Sequence, residues 1–222
     1  MSLSIFKRKL YIYGMGGLGR EAYDIACRIK NKSWKKIGFI DDNASQSSLT
    51  FLNVEVISFD ELSKKKNIDI VIAIGEPATR KILYERIKKK KFNIVSLIDP
   101  STTISRFAHI EKGCVICPNT VISSNVSISE NVYINANSFL GHDTSVAKHV
   151  VFAPNVTVGG NVSFGEESFV GIGAKIKELV TIGRKVVIAM GSVVKEDIQD
   201  ENFVAGNPAR ISSRKFLNKV FK

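Results

Sequence analysis

From Ile98 to Val194 every sixth residue is Ile, Leu, Val or Phe. The series is Ile98, Ile104, Ile110, Ile116, Ile122, Ile128, Ile134, Leu140, Val146, Phe152, Val158, Phe164, Val170, Ile176, Ile182, Ile188 and Val194. In a chain with 44% hydrophobic residues, so long an unbroken run arises by chance about once in a million trials. A period of six fits neither a helix nor simple strand alternation. It signals a solenoid, in which each short unit buries its apolar side only by stacking on its neighbours.

Other positions of the hexad agree. The fifth position, from Thr102 and Ala108 through Cys114, Thr120, Val126 and Val132 to Val186 and Ser192, is always small or β-branched. That suits an inward slot beside a bulky neighbour on a short strand. The fourth position is rich in turn formers: Gly113, Asn119, Asn125, Asn131, Asn137, Asp143, Asn155, Asn161, Gly173 and Gly191. These residue types tolerate positive φ, so each hexad reads as a short strand plus a sharp corner. Glycines at the second position (Gly141, Gly159, Gly165, Gly171, Gly183) are expected to ease the corners further.

Composition excludes several classes. No apolar run is long enough to span a membrane. The first apolar run, Leu10 to Tyr13, is too short for a signal peptide. Three cysteines (Cys27, Cys114, Cys117) make no disulfide framework, and the single Cys114-x-x-Cys117 fits repeat slots better than a metal site. No metal is expected, and the cytoplasm is the expected compartment. The net charge of +11 is diffuse, with its densest run at Lys88–Lys91 and no interleaved aromatics. A solvated helix face is therefore expected there rather than nucleic-acid binding. The same sign also suits an anionic small ligand.

Residues 1–97 alternate strand and helix patterns. Strands are expected at Lys9–Tyr13, Lys36–Ile40, Val54–Ile57, Ile68–Ile74 and Asn93–Ile98. Helices are expected at Glu21–Lys30, Asp60–Lys65 and from Pro77 onward. This alternation predicts a small Rossmann-like parallel sheet. Gly14-x-Gly16-x-x-Gly19 then matches a phosphate-binding fingerprint, and Asp41 and Asp42 stand where an acidic residue would hold a ribose. The domain is too short for two nucleotide halves, so one nucleotide is expected rather than NAD. A glycine turn that only packs helix on sheet is the structural alternative.

This order of domains resembles the sugar acyltransferases of the NeuD/PglD type, within the hexapeptide-repeat acetyltransferase family. The resemblance rests on Gly14–Glu21, Gly38–Asn43, Ala73-Ile74-Gly75, the repeat, and the closing Ala205–Arg210. It implies an α/β plus all-β fold: a Rossmann-like domain over residues 1–97, then a left-handed parallel β-helix over 98–222. With three hexads per coil, residues 98–193 make a little over five coils. Ile211–Phe221 is expected to form a short capping helix. The resemblance implies an acetyl-CoA-dependent sugar acetyltransferase. Its acceptor would be an amino group of a nucleotide-linked amino sugar or a sugar hydroxyl of the sialic acid type. It also implies a homotrimer with sites between subunits. Gly16, Gly17, Asp41, Asp42 and Gly75 match substrate-binding positions. Gly159, Gly171, Gly173, Ala189, Gly191 and Arg210 are expected to accept CoA, with Lys175, Arg184 and Lys185 as further phosphate candidates.

Acyl transfer needs a base for the acceptor proton, and neutral imidazole suits it. Only His109, His142 and His149 are available. His142, in Leu140-Gly141-His142-Asp143, matches the family's catalytic histidine; Asp143 would orient it, and Asn135 matches a polar residue near the reacting groups. His149 reads equally as a solvated corner or as part of the site, and His109 as structural. No serine or cysteine is paired with a histidine, so direct transfer is expected. The rival reading is a non-catalytic sugar-nucleotide-binding or scaffold protein on the same solenoid, which would not need His142. An NAD-dependent enzyme is a third.

Overall fold

The computed structural model describes residues 8–29, 34–43, 50–51, 54–62, 65–212 and 220. The first part contains β1 (Arg8–Tyr13), α1 (Gly17–Arg28), β2 (Trp34–Ile40), β3 (Thr50–Phe51), β4 (Val54–Ile57), α2 (Phe59–Leu62), β5 (Ile68–Ile72), α3 (Pro77–Lys89) and β6 (Asn93–Ile94). The sheet order is β3-β4-β2-β1-β5-β6, parallel throughout except for β3 against β4. β1 and β5 are central, β5 nearly all apolar and β1 buried from Leu10 on, because helices cover both faces. Alternation along β1 divides the packing: Leu10 and Ile12 join Ala22, Ile25 and Ala26 of α1, while Tyr11 and Tyr13 join Phe59, Tyr84 and Ile87 on the other side.

Several boundaries shift by one to three residues from the sequence expectation, and two differences go further. α1 begins at Gly17 rather than Glu21, because the helix starts inside the glycine motif itself. The run Asn93–Ile98 is two strands, since Ile94 ends the sheet and Leu97–Ile98 already pairs with Val115–Ile116 of the solenoid.

From Leu97 on, two-residue strands recur every six residues and form three parallel sheets. Each strand pairs with the one eighteen residues later, as Val115 does with Tyr133. Three hexads therefore close one coil of a left-handed β-helix. The first face carries the strands starting at Leu97, Val115, Tyr133, Val151, Phe169 and Val187; the second, those at Thr103, Val121, Phe139, Thr157, Lys175 and Val193; the third, those at His109, Ser127, Ser145, Ser163 and Thr181. The first-position residues from Ile116 to Val194 and the fifth-position residues from Cys114 to Ser192 are buried and fill the prism.

The fourth position has positive φ at every hexad from Gly113 to Gly191, including His149, Glu167, Leu179 and Lys185. Corner geometry is thus imposed by the stack even where the residue type does not favour it. The second-position glycines serve another purpose than easing φ. A Cβ on Gly141, Gly159, Gly165, Gly171 or Gly183 would lie 2.5–2.6 Å from backbone atoms of the next coil. They are small because successive coils touch there.

Outward residues of the first face are apolar and pack against the N-terminal domain: Val115, Tyr133, Val151, Phe169 and Val187 share one buried cluster with Leu10, Ile12 and α1. Ion pairs flank this joint, Arg28 to Asp99 at 2.6 Å and Lys81 to Glu167 at 2.5 Å. The first coil is less covered, with Ile104 36% and Phe107 68% exposed. At the other end Ile211 belongs to a strand, Ala209–Ile211, antiparallel to Phe203–Gly206. Ser212 continues from this strand, its N–H donating to the Phe203 carbonyl at 2.9 Å, and the rest of the expected capping helix lies outside the described residues, apart from Val220. No helix among the described residues is long and apolar enough to cross a membrane.

Candidate active site

The three vertices of the prism carry the polar chemistry. At each, fourth-position side chains stack one coil apart: Asn119 on Asn137 at 3.3 Å, Asn125 on Asp143 at 2.7 Å, and Asn131 beside His149 at 2.9 Å. The vertex between the second and third faces holds His142. Its Nδ1 lies 2.7 Å from Asp143 Oδ2. An ionised carboxylate can only accept, so Nδ1–H donates to Asp143 and, in the neutral ring, Nε2 carries the lone pair. The Asn125 amide and then His142 hold the Asp143 carboxyl below its ordinary value. Both side chains are exposed, at 61% and 41%. The result is an imidazole with a fixed tautomer and an open basic nitrogen.

Two supports of this pair escaped the sequence reading. Asn125 lies one coil below Asp143, a relation visible once eighteen is recognised as the coil length. Gly160 is the other: a Cβ there would come within 2.6 Å of His142 Cε1 and 2.7 Å of Nε2. Only glycine leaves the ring this position. The next amide, Asn161 N–H, donates to the His142 carbonyl at 2.8 Å.

His149 has the opposite environment. It is 3% exposed and lies edge-on to Tyr84 of α3 at 5.5 Å. Burial first, then the nearby Arg80 charge, push its pKa down to about 4. The imidazole is neutral, with Nδ1 accepting from the Asn131 amide. It is neither a solvated corner nor on the vertex of His142. His109 sits exposed on the first coil.

Asn135 lies on the vertex between the first and second faces, not beside His142 of the same chain. Its Oδ1 accepts from Ala136 N–H at 2.7 Å. Above it on this vertex stand Gly171, Gly173, Ala189 and Gly191, one and two coils on from Ala153. A Cβ on Gly173 or Gly191 would meet nothing within 4 Å, so these corners are open. Gly159 lies on the His142 vertex. The second face carries a shallow cavity at its upper end lined by Lys175, Ile176, Lys177, Val193, Val194 and Lys195. Arg210 is exposed on the terminal strand.

In the N-terminal domain the glycine motif has the three separate uses its spacing implies. Gly14 has φ +106 and turns the chain; a Cβ on Gly19 would lie 1.9 Å from the Gly14 carbonyl; Gly16 and Gly17 face open space. Gly16 caps α1 without a side-chain hydrogen bond, and no acidic residue occupies the first turn. The helix N-terminus is therefore suited to an anion. Asp41 and Asp42 follow β2 beside this loop, and Gly75 lies between β5 and α3. Asp42 is already engaged. Its oxygens accept from Tyr13 Oη at 2.5 Å, Phe59 N–H at 2.9 Å and Arg86 Nη1 at 2.5 Å. Burial would raise its pKa, but these bonds hold it below the ordinary value. Among the described residues, Asp41 Oδ1 accepts within its own turn, from Asn43 N–H at 2.9 Å.

Residues 9–87 match the model of the PglD N-terminal domain. The whole chain is similar to three solved structures. One is the acetyltransferase domain of PglB from Neisseria gonorrhoeae, in complex with acetyl coenzyme A (29% identity, 93% of this chain and 100% of that one, TM-score 0.86). Another is WeeI from Acinetobacter baumannii (28% identity, 92% and 100%, TM-score 0.87). The third is a histidine-to-asparagine variant of perosamine N-acetyltransferase from Caulobacter crescentus, in complex with CoA and GDP-perosamine (25% identity, 92% and 97%, TM-score 0.82). The chain is an acyltransferase, similar over more than nine-tenths of its length to acetyltransferases of the NeuD/PglD type. The co-substrate is acetyl-CoA: the PglB domain is in complex with acetyl coenzyme A and the perosamine N-acetyltransferase variant with CoA.

Proposed function

We propose that this acyltransferase moves the acetyl group of acetyl-CoA to the amino group of a nucleotide-linked amino sugar, with His142 as general base. The observation that carries the reading is the His142–Asp143 pair, an exposed imidazole whose Nε2 is the free acceptor. The GDP-perosamine complex of the Caulobacter relative favours an amine over a sialic acid hydroxyl as acceptor. A scaffold protein would have no use for so elaborately supported a base.

The fit to CoA rests on the open corners at Gly173 and Gly191, where no Cβ intrudes, and on the cavity ringed by Lys175, Lys177 and Lys195. Glycine corners let a ligand approach the backbone, and the lysines suit its phosphates. When bound, acetyl-CoA supplies an activated thioester carbonyl. His142 Nε2 takes the proton that the acceptor nitrogen sheds as the N–C bond forms and the C–S bond breaks, and the imidazolium returns that proton to the departing CoA thiolate, which leaves as the free thiol. Asp143 balances the imidazolium while it lasts. In the N-terminal domain, Gly16 and Gly17 at the start of α1 receive the nucleotide phosphates, with Asp41, Asp42 and Gly75 on the adjoining loops.

On this reading the site takes more than one chain. The N-terminal domain sits on the first face, and the vertex between the second and third faces is the edge opposite it. His142 therefore points away from its own nucleotide loop and serves a sugar held by a neighbouring copy. A trimer that sets the Asn135 vertex of one copy against the His142 vertex of the next completes the site at each interface. The free thiols of Cys27, Cys114 and Cys117 suit the cytoplasm.

The test is incubation with acetyl-CoA and a panel of UDP-, GDP- and dTDP-linked amino sugars plus sialic acid, read by mass. Acetylation of a nucleotide amino sugar, lost in His142→Ala while CoA still binds, is expected. Unchanged turnover by His142→Ala would remove His142 as the base.

A further inference from the structure

Arg80 of α3 is completely buried at the joint between the two domains, and among the described residues no carboxylate pairs with it. Burial lowers its pKa to about 10, so it stays charged at neutral pH. All five of its N–H bonds are used. Nη1 donates to the carbonyls of Ile72 at 2.8 Å and Ile74 at 3.0 Å. Nε and Nη2 donate to the Asn131 carbonyl at 3.1 and 2.9 Å, and Nη2 to Asn131 Oδ1 at 2.7 Å. Asn131 Nδ2 answers, donating to the Arg80 carbonyl at 3.1 Å and to His149 Nδ1.

One half of the guanidinium thus grips the backbone that leads into Gly75. The other half grips the solenoid corner one coil below His149, whose rung also carries His142. A buried cation held by carbonyls alone is a costly way to fill space, and an apolar side chain would fill it as well. What the planar fork offers is a fixed angle between two bodies, each held by more than one bond.

We infer that Arg80 is a positioning residue: by tying the Ile72–Gly75 segment to Asn131, it sets the register between the nucleotide pocket and the solenoid. This rests on the acetyltransferase reading above, because the register matters only if a sugar bound at that loop must meet an imidazole on a neighbouring solenoid.

Arg80→Met keeps the side-chain bulk and leaves no unpaired charge. In steady-state assays of the full-length protein, it is expected to raise KM for the nucleotide amino sugar at least tenfold. KM for acetyl-CoA should stay within twofold, because the open corners on the other vertex are untouched. Equal KM changes for both substrates, or none for either, would overturn the inference. Asn131→Gly keeps the positive φ and the accepting carbonyl but removes the side-chain half of the grip. It should show the same split, about threefold, and decides the matter if Arg80→Met does not fold. Should the wild-type chain acetylate no sugar in the panel, the functional reading fails, and the clamp is read separately by amide exchange of residues 70–80. Faster exchange in Arg80→Met supports the clamp, and unchanged exchange refutes it.

Discussion

His142 and His149 lie on one rung of the solenoid, at neighbouring vertices. Both belong to a corner, and both touch a polar side chain, yet they have become opposite things. His142 projects from a bare vertex, is oriented by an ionised aspartate and keeps Nε2 free. His149 lies under α3, accepts from an amide and is held neutral. The difference comes from what covers each vertex. The N-terminal domain closes the one and leaves the other open. In a solenoid the repeat fixes where a residue points, and the added domain decides what it can do.

The sharpest way to break this contrast is to compare turnover. His142→Ala should lower kcat by about a hundred- to ten-thousand-fold, as loss of a general base does. His149→Asn, which suits positive φ and keeps a side-chain acceptor, should retain most of it. Steady-state rates at saturating acetyl-CoA check both; similar losses in the two variants would erase the distinction.

Gly160→Ala sharpens the active side of the comparison. Its Cβ would press on the imidazole at 2.6 Å. A ring displaced by about 1 Å should cost roughly ten- to a hundredfold in kcat. Asn125→Gly, which removes one hydrogen bond to Asp143, should cost only about two- to fivefold.

The buried side is read by acid unfolding. The His149 pKa is about 4 in the folded chain against 6.5 ordinarily, so the unfolded chain binds the proton first as pH falls. The contribution to stability is whole above pH 6.5 and is lost progressively as pH falls towards 4, amounting to about 3 kcal/mol at most. Denaturant midpoints of wild type and His149→Asn between these pH values should therefore converge as pH falls. Parallel curves would mean that His149 does not titrate on unfolding.

Much of this was legible in the sequence because it follows from local rules. The hexad alone places the inward residues, the positive-φ corners and the exposed position of His142. The glycine motif alone places the turn, the open helix end and the tight packing at Gly19. What escaped depends on contacts across coils or between domains. The ladder from Asn125 to Asp143 and the seat that Gly160 gives the ring need side-chain geometry across stacked coils, which the coil length by itself does not supply. The first face was marked, in retrospect, by apolar sixth positions at Leu97, Val115, Tyr133, Val151, Phe169 and Val187, against polar ones on the third face. Arg80 left no such mark. In α3 it looks like any surface cation, and its burial depends on Asn131, fifty-one residues away.

The central claim is that His142 acts on a sugar held by another copy, and mixed oligomers test it most directly. Gly17→Glu fits sterically, since nothing lies within 4 Å of a Cβ there, and it places a carboxylate where the phosphate should bind. Co-expressed His142→Ala and Gly17→Glu chains, each inactive alone, should recover up to about a quarter of wild-type acetyl transfer, because a random neighbour completes one site in four. If the mixed oligomers form and stay inactive, each site lies within a single chain, and the account of the two vertices is wrong.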